Sequence, residues 1–263
     1  MPTMATSRSR AETGYEAVIG RRAWVEQVMG LPVSVHVRAA DPDRPDIAAA
    51  VAAVFTHLRR VDAVLSTWRA DSDLLRLQHH EIDPGQAHPW LSDVVELCLL
   101  AEERTDGLFR AWRTGAGGTR ELFDPTGLVK GWAVSGASAH LETVPEIGWC
   151  IGAGGDLSVG VGRGMLTVAP TWRIGIEDPS DRHQVADVVT VSRGGVATSG
   201  AAARGAHVID PRTRRWVERA GSVTVTGPDL LWADVWATAA WVDPALASAL
   251  LAARDPAYTV LVL

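Results

Sequence analysis

Apolar positions along the chain follow two rhythms, and each predicts its own kind of element. Over residues 46–66, Ile47, Val51, Val54, Leu58, Val61 and Leu65 recur three or four apart, the spacing of one face of an α-helix. Asp46, just after Pro45, is placed to cap it. WLSDVVELCLLAEERTDG reads as a second helix, begun by Ser92 or Asp93 and closed by Gly107. TGLVKGWAVSGASAHLE predicts a third, against the pull of its glycines. A helix over 231–241 and a shorter one in PALASALLAARD follow near the end. Period-two alternation marks strands instead. WVEQVMGLPVSVHVRA predicts two strands around a turn at Gly30-Leu31-Pro32. Further strands are expected in WCIGAGGDLSVGVG, MLTVAP, WRIGIED, VADVVTVSRGGVATSG, AHVIDP, SVTVTG and AYTVLVL. Helices gather early and strands late, which predicts an α+β fold rather than a regular βαβ alternation. Residues 113–120 read as a Gly/Thr/Arg loop. Residues 1–20 read as a disordered leader ahead of one domain over 21–263.

Composition narrows the function classes. A chain of 263 residues with 47% hydrophobic and 21% charged residues builds a sizeable core. Its net charge of −6 argues against a broad nucleic-acid-binding surface. Cys98 and Cys150 sit in apolar surroundings and read as buried thiols, not as a disulfide framework or metal cluster. No run reaches transmembrane length. The first twenty residues carry neither an apolar signal core nor a small-residue–Cys junction, so a cytoplasmic protein is expected.

Several segments carry candidate chemistry, each with a plain alternative. IGAGGDLSVG places Gly155 and Asp156 in a glycine-rich turn that either opens the backbone to a ligand or simply reverses the chain. In FDPTGLVKGWAV, Lys130 near a helix start suits a phosphate, or is a solvated lysine after a turn. VATSGAAARGAHVIDP holds Thr198, Ser199 and His207: two hydroxyls able to donate to a ligand, and a histidine that is either a catalyst or a satisfied core group. LSTWRADSDLLRL carries Ser66 and Trp68. The indole can stack on an aromatic ligand, although eleven tryptophans make core packing the ordinary role of any one. In SVTVTGPDLLWADVWATAAWV, Asp234 and Thr238 lie one helical turn apart on one face. They offer oxygen ligands to a hard cation such as Mg²⁺, or are an acid favoured by the helix dipole and a threonine bonded back to the main chain.

Taken in order, these segments resemble the ApbE family of FAD:protein FMN transferases. The matching pieces run from Met29-Gly30 through LSTWRADSDL, DPTGLVKGWAV, GAGGD, WRIGIEDP, ATSG, RGAHVIDPRT and SVTVTGP to ADVWATA. The resemblance implies a T-fold-related mixed domain with a flavin cleft between its layers. It also implies Mg²⁺-dependent transfer of FMN from FAD to a threonine hydroxyl of an acceptor protein, with release of AMP. Carried over residue by residue, it makes Asp234, Thr238 and the Gly127 carbonyl the ligands of Mg²⁺, with Mn²⁺ as a substitute. Met29, Ser66, Trp68, Lys130, Gly155, Asp156, Thr198, Ser199 and His207 become the FAD-binding set. His207, with Asp156 as second choice, is the base for the acceptor hydroxyl, and Lys130 adds a fixed positive charge. The same site would serve an FAD pyrophosphatase, or a non-catalytic FAD-binding protein. The chain departs from the family pattern at Ala201, Ala202 and Ala203 after ATSG, and at Arg110, where an acid is usual.

Overall fold

The computed structural model describes residues 19–114, 121–164, 170–201 and 208–263. The expected leader over 1–20, the MLTVAP strand and His207 therefore fall largely or wholly outside the described residues. Strands β1 (Gly20–Val28) and β2 (Leu31–Ala39) form an antiparallel hairpin. Its two-residue turn is Met29-Gly30, at φ 57° and 72°, the left-handed pair that matches strand twist. The turn thus precedes the expected Gly30-Leu31-Pro32, and Leu31 and Pro32 open β2 instead.

Helix α1 (Pro45–Leu65) buries the apolar positions that predicted it. Asp46 does not cap it: its carboxylate accepts from the Ile47 N–H and pairs with Arg44 at 2.7 Å, inside the first turn. A short helix the periodicity did not announce, α2 (Asp73–Gln78), is capped by Ser72, whose hydroxyl accepts from the Leu75 N–H. Helix α3 (Pro89–Arg104) starts before Ser92 and Asp93. Pro89 takes its first position, where a missing N–H is harmless, and the ring of His88 accepts from the Trp90 N–H at 3.2 Å. Gly107, at φ 77°, closes the end by donating to the Glu102 carbonyl. Strands β3 (Trp112–Thr114) and β4 (Glu121–Phe123) pair around the undescribed part of the expected loop. Helix α4 (Thr126–Glu142) follows.

The second half is built mainly of strands: β5 (Gly148–Ala153), β6 (Asp156–Val161), β7 (Trp172–Glu177), β8 (Val185–Val191), β9 (Gly194–Gly200), β10 (Ile209–Asp210), β11 (Arg215–Trp216) and β12 (Ser222–Gly227). Helices α5 (Leu230–Val242) and α6 (Pro244–Arg254) and strand β13 (Thr259–Val262) complete the chain. Seven strands make one antiparallel sheet in the order β1-β2-β5-β6-β9-β12-β13. Alternate residues of its strands serve two cores, as period two requires. Trp149, Ile151 and Ala197 join the large cluster under the helices. Their neighbours Cys150 and Val196 face the separate β7–β8 ribbon, against Trp172, Ile174 and Ile176. Helices, sheet and ribbon are thus stacked as layers. Cys98 and Cys150 are buried free thiols, each pushed up to about 12 by burial. No helix among the described residues is long and apolar enough to cross a membrane.

Asp243 joins the last two helices. Its N–H donates to Ala239 O at the end of α5, and its carboxylate accepts from the Leu246 N–H at the start of α6. That N–H, then Arg212, hold the carboxyl below its ordinary value. Asp243→Ala is expected to cost about 1 kcal/mol at neutral pH. A carboxyl depressed in the folded state stabilises above its unfolded value and loses that effect as pH falls through the folded one. The difference between wild type and variant in urea denaturation should therefore shrink well below pH 3.8, the unperturbed value.

Candidate functional site

Helices α4 and α5 cross at Gly131 with no room for a side chain. A Cβ there would stand 2.9 Å from Leu230 O and 3.1 Å from the Asp234 Cβ. That approach lets the Gly131 N–H donate to Asp234 Oδ2 at 3.2 Å. Asp234 lies on a helix buried on nearly every side, and is itself only 4% exposed. The neighbouring Lys130 places its ammonium 3.4 Å from Asp234 Oδ1 and closer still to Asp156 Oδ2. Asp156 is 1% exposed and opens β6 directly after the Gly154-Gly155 turn, both of whose residues have positive φ. Its other oxygen accepts from the Thr198 N–H at 3.0 Å, and the Thr198 hydroxyl shares a hydrogen bond with that of Thr224. Three stretches far apart in sequence thus meet at one ammonium.

Two buried carboxylates share that ammonium, so the cluster is short of positive charge. Burial, together with repulsion from Asp156, pushes the Asp234 carboxyl up to about 7, while Lys130 and the Gly131 N–H pull the other way. Gly127, one turn before Gly131, and Thr238, one turn after Asp234, line the same cavity. Carboxylate, hydroxyl and main-chain oxygens are the donors hard cations take, and a cation would supply the missing charge. The residues present therefore fit Mg²⁺ in chemistry. No group of three or more His, Cys, Asp or Glu suited to a metal occurs among the described residues. A cation here would complete its shell with neutral protein oxygens, water or substrate.

The cavity measures about 780 Å³, within the range of small-molecule clefts. Gly127 and Lys130 of α4, Gly155 and Asp156 of the β5–β6 turn, Thr198 and Ser199 of β9, and Asp234 and Thr238 of α5 all line it. The remaining candidates stand apart. Met29 occupies the β1–β2 turn, half-buried against the main core. The Ser66 hydroxyl accepts from the N–H groups of Trp68 and Arg69, shaping the turn after α1. Trp68 is 91% exposed, and neither it, Ser66 nor Met29 is part of the cavity wall.

The wall also holds groups the sequence did not single out. Arg113 and Asp124 form an ion pair across β3–β4. Asp124 also accepts from the N–H and hydroxyl of Thr126 and so fixes the start of α4. Phe109 supports Gly127, where a Cβ would meet its ring at 3.1 Å. Arg214 lies on the β10–β11 turn. No spacing in the sequence linked Phe109, Arg113, Asp124 or Arg214 to one cavity.

Known proteins are similar to this chain in sequence and in fold. The FAD:protein FMN transferase of Salmonella typhimurium is 28% identical over 243 residues, covering 70% of this chain and 68% of that protein. The protein of the same name from Escherichia coli K12 is 27% identical over 240 residues, with the same coverage. The ApbE protein of Thermotoga maritima superposes with a TM-score of 0.72 at 19% identity, covering 92% of this chain and 94% of its own. The flavin transferase ApbE of Vibrio cholerae gives 0.71 at 20% identity, covering 93% of each. These structures share the α+β fold. The sequence model of the ApbE family matches residues 29–112 and 118–262, which is most of the chain, and the protein belongs to the ApbE family.

Proposed function

We propose that this protein transfers FMN from FAD to a threonine hydroxyl of an acceptor protein and releases AMP. The observation that carries the reading is the buried Lys130–Asp156–Asp234 cluster, short of positive charge and open to a cavity of dinucleotide scale. The relatives' shared name, FAD:protein FMN transferase, supports it. Mg²⁺, or Mn²⁺ in its place, held by Asp234, Thr238 and the Gly127 carbonyl, would neutralise charge on the pyrophosphate oxygens.

Phosphoryl transfer demands positioning and charge compensation more than covalent help from the protein. Lys130 supplies a fixed positive charge, and its two carboxylate partners keep the ammonium from swinging out of the cavity. Asp156 has both oxygens engaged, by Lys130 and by the Thr198 N–H. That suits holding Lys130 and β9 in register better than accepting a proton. In this reading His207 is the base. The acceptor hydroxyl oxygen bonds to the FMN phosphorus, the bridging P–O bond to AMP breaks, and the hydroxyl proton passes to the imidazole. The glycines at 154 and 155 let substrate approach main chain closely.

Mass spectrometry tests this. Incubated with FAD, Mg²⁺ and a short acceptor domain carrying an Asp-Gly-Ala-Thr segment, the protein should add one FMN to the acceptor threonine, and chelation should stop it. Free FMN and AMP without an adduct would make the protein a pyrophosphatase. FAD that stays bound and intact would make it a carrier.

A further inference from the structure

Five cationic residues line the cavity: Arg110, Arg113, Lys130, Arg182 and Arg214. Four of them already face carboxylates. Lys130 holds Asp156 and Asp234, Arg113 holds Asp124, Arg182 lies 3.2 Å from Glu177, and Arg110 lies 3.7 Å from Glu102. The guanidinium of Arg214 has neither a hydrogen bond nor an ion pair among the described residues. Its charge is uncommitted, whereas that of Lys130 is divided between two acids.

The backbone at Arg214 is also unusual. It sits at φ 58°, in the left-handed region that favours glycine. The turn is held in that shape from both sides. The Arg214 N–H donates to Asp210 O at 2.8 Å, and Arg212 ties the turn down through Asp210 and, at 3.0 Å, Asp243. A long side chain is thus carried where glycine would suit the main chain better, on an exposed turn that borders the cavity. Strain of this kind at a cavity wall points to a ligand-facing role.

We infer that Arg214 is a phosphate-binding residue of the cavity, placing its guanidinium fork on a phosphate oxygen of the dinucleotide substrate. The inference rests on the transferase reading above and adds a contact to it. A planar fork matches phosphate geometry and stays charged at any working pH. A pyrophosphate brings more negative charge than the Lys130 cluster can balance, since that cluster is itself at or below neutrality. A second cationic contact from a separate element answers that need.

Arg214→Gly removes the guanidinium and relaxes the backbone together, so the variant should melt no lower than wild type. In fluorescence titrations it should bind FAD about tenfold more weakly, within the range of one charge-assisted hydrogen bond, and bind riboflavin, which has no phosphate, as wild type does. Arg214→Lys should recover part of the loss. Unchanged FAD affinity in Arg214→Gly would overturn the assignment, as would an equal loss for riboflavin. Unchanged FAD affinity with a weaker response to acceptor would move the side chain to an acidic segment of the acceptor, and also overturns it. If wild type binds no FAD, the transferase reading fails on its own. Calorimetry with inorganic pyrophosphate and Mg²⁺ then decides Arg214: binding weakened by Arg214→Gly sustains the phosphate contact, and binding unchanged ends it.

Discussion

Asp234→Asn is expected to leave the fold standing and reduce cation-dependent FMN transfer by about 10²–10³-fold, the scale of losing one electrostatic contact to developing charge. The asparagine oxygen can still accept from the Gly131 N–H, so the helix crossing keeps its hydrogen bond. What disappears is a carboxyl whose ionised form burial disfavours. Replacing such a group by a neutral isostere changes stability little, or favourably, because no charge has to leave water. The sign of the pH effect follows. Asp234 has a folded value of about 7, against an unperturbed 3.8. The unfolded chain therefore releases that proton first, and stability from this group falls as pH rises from the ordinary carboxylate range toward 7. In cation-free buffer, urea midpoints of wild type should drop relative to Asp234→Asn over that window. A midpoint difference independent of pH would show that Asp234 ionises normally. Full transfer activity in the variant would remove Asp234 from the mechanism.

Gly131→Ala should damage both stability and activity, by a different route. The added carbon would meet Leu230 O at 2.9 Å and Leu231 Cα at 3.0 Å, both main-chain atoms that cannot rotate away. Helix α5 has no retreat, because β9 presses on its other side: a Cβ on Gly195 would come 2.5 Å from Leu230 N. Overpacking of this kind costs about 1–3 kcal/mol, and parting the helices would also draw Asp234 away from Lys130. Gly136→Ala, on the same helix, is the control. Its Cβ would meet only the His57 ring, at 3.0 Å, and the helix-propensity gain of up to about 1 kcal/mol offsets the crowding. Denaturant midpoints and transfer rates of the two variants should diverge. Equal behaviour would mean that the crossing tolerates a methyl group.

Helix positions were legible wherever one face was apolar. Helix α1 follows its spacing closely, and α4 spans the predicted segment because its glycines are packing surfaces rather than breaks. Misplaced boundaries trace to local chemistry that period does not encode. The ring of His88, not Ser92 or Asp93, caps α3, and α2 is too short and polar to show a rhythm. The site was less legible. Asp234 and Thr238 share a helix face, which spacing reveals, but no spacing links Asp234 to Lys130 and Asp156. That grouping came from family resemblance and is seen physically only where α4, β6 and α5 meet. The same resemblance also put Trp68 at the flavin, whereas its indole stands in solvent outside the cavity wall. Arg214 carried no signal in the sequence, since an arginine in a turn looks ordinary until its backbone angle is known.

The bond from the Gly131 amide to Asp234 spans 103 positions of the chain. A long loop must close before it contributes anything, and contacts of such long range slow folding. A fragment cut between α4 and α5 cannot carry the site, and any transient detachment of α5 erases it. A ligand bridging the two helices consequently acts as a folding clamp, stabilising the native chain in proportion to its occupancy. The hydrogen-exchange rate of this single amide gauges how often the site comes apart, and how far substrate prevents it.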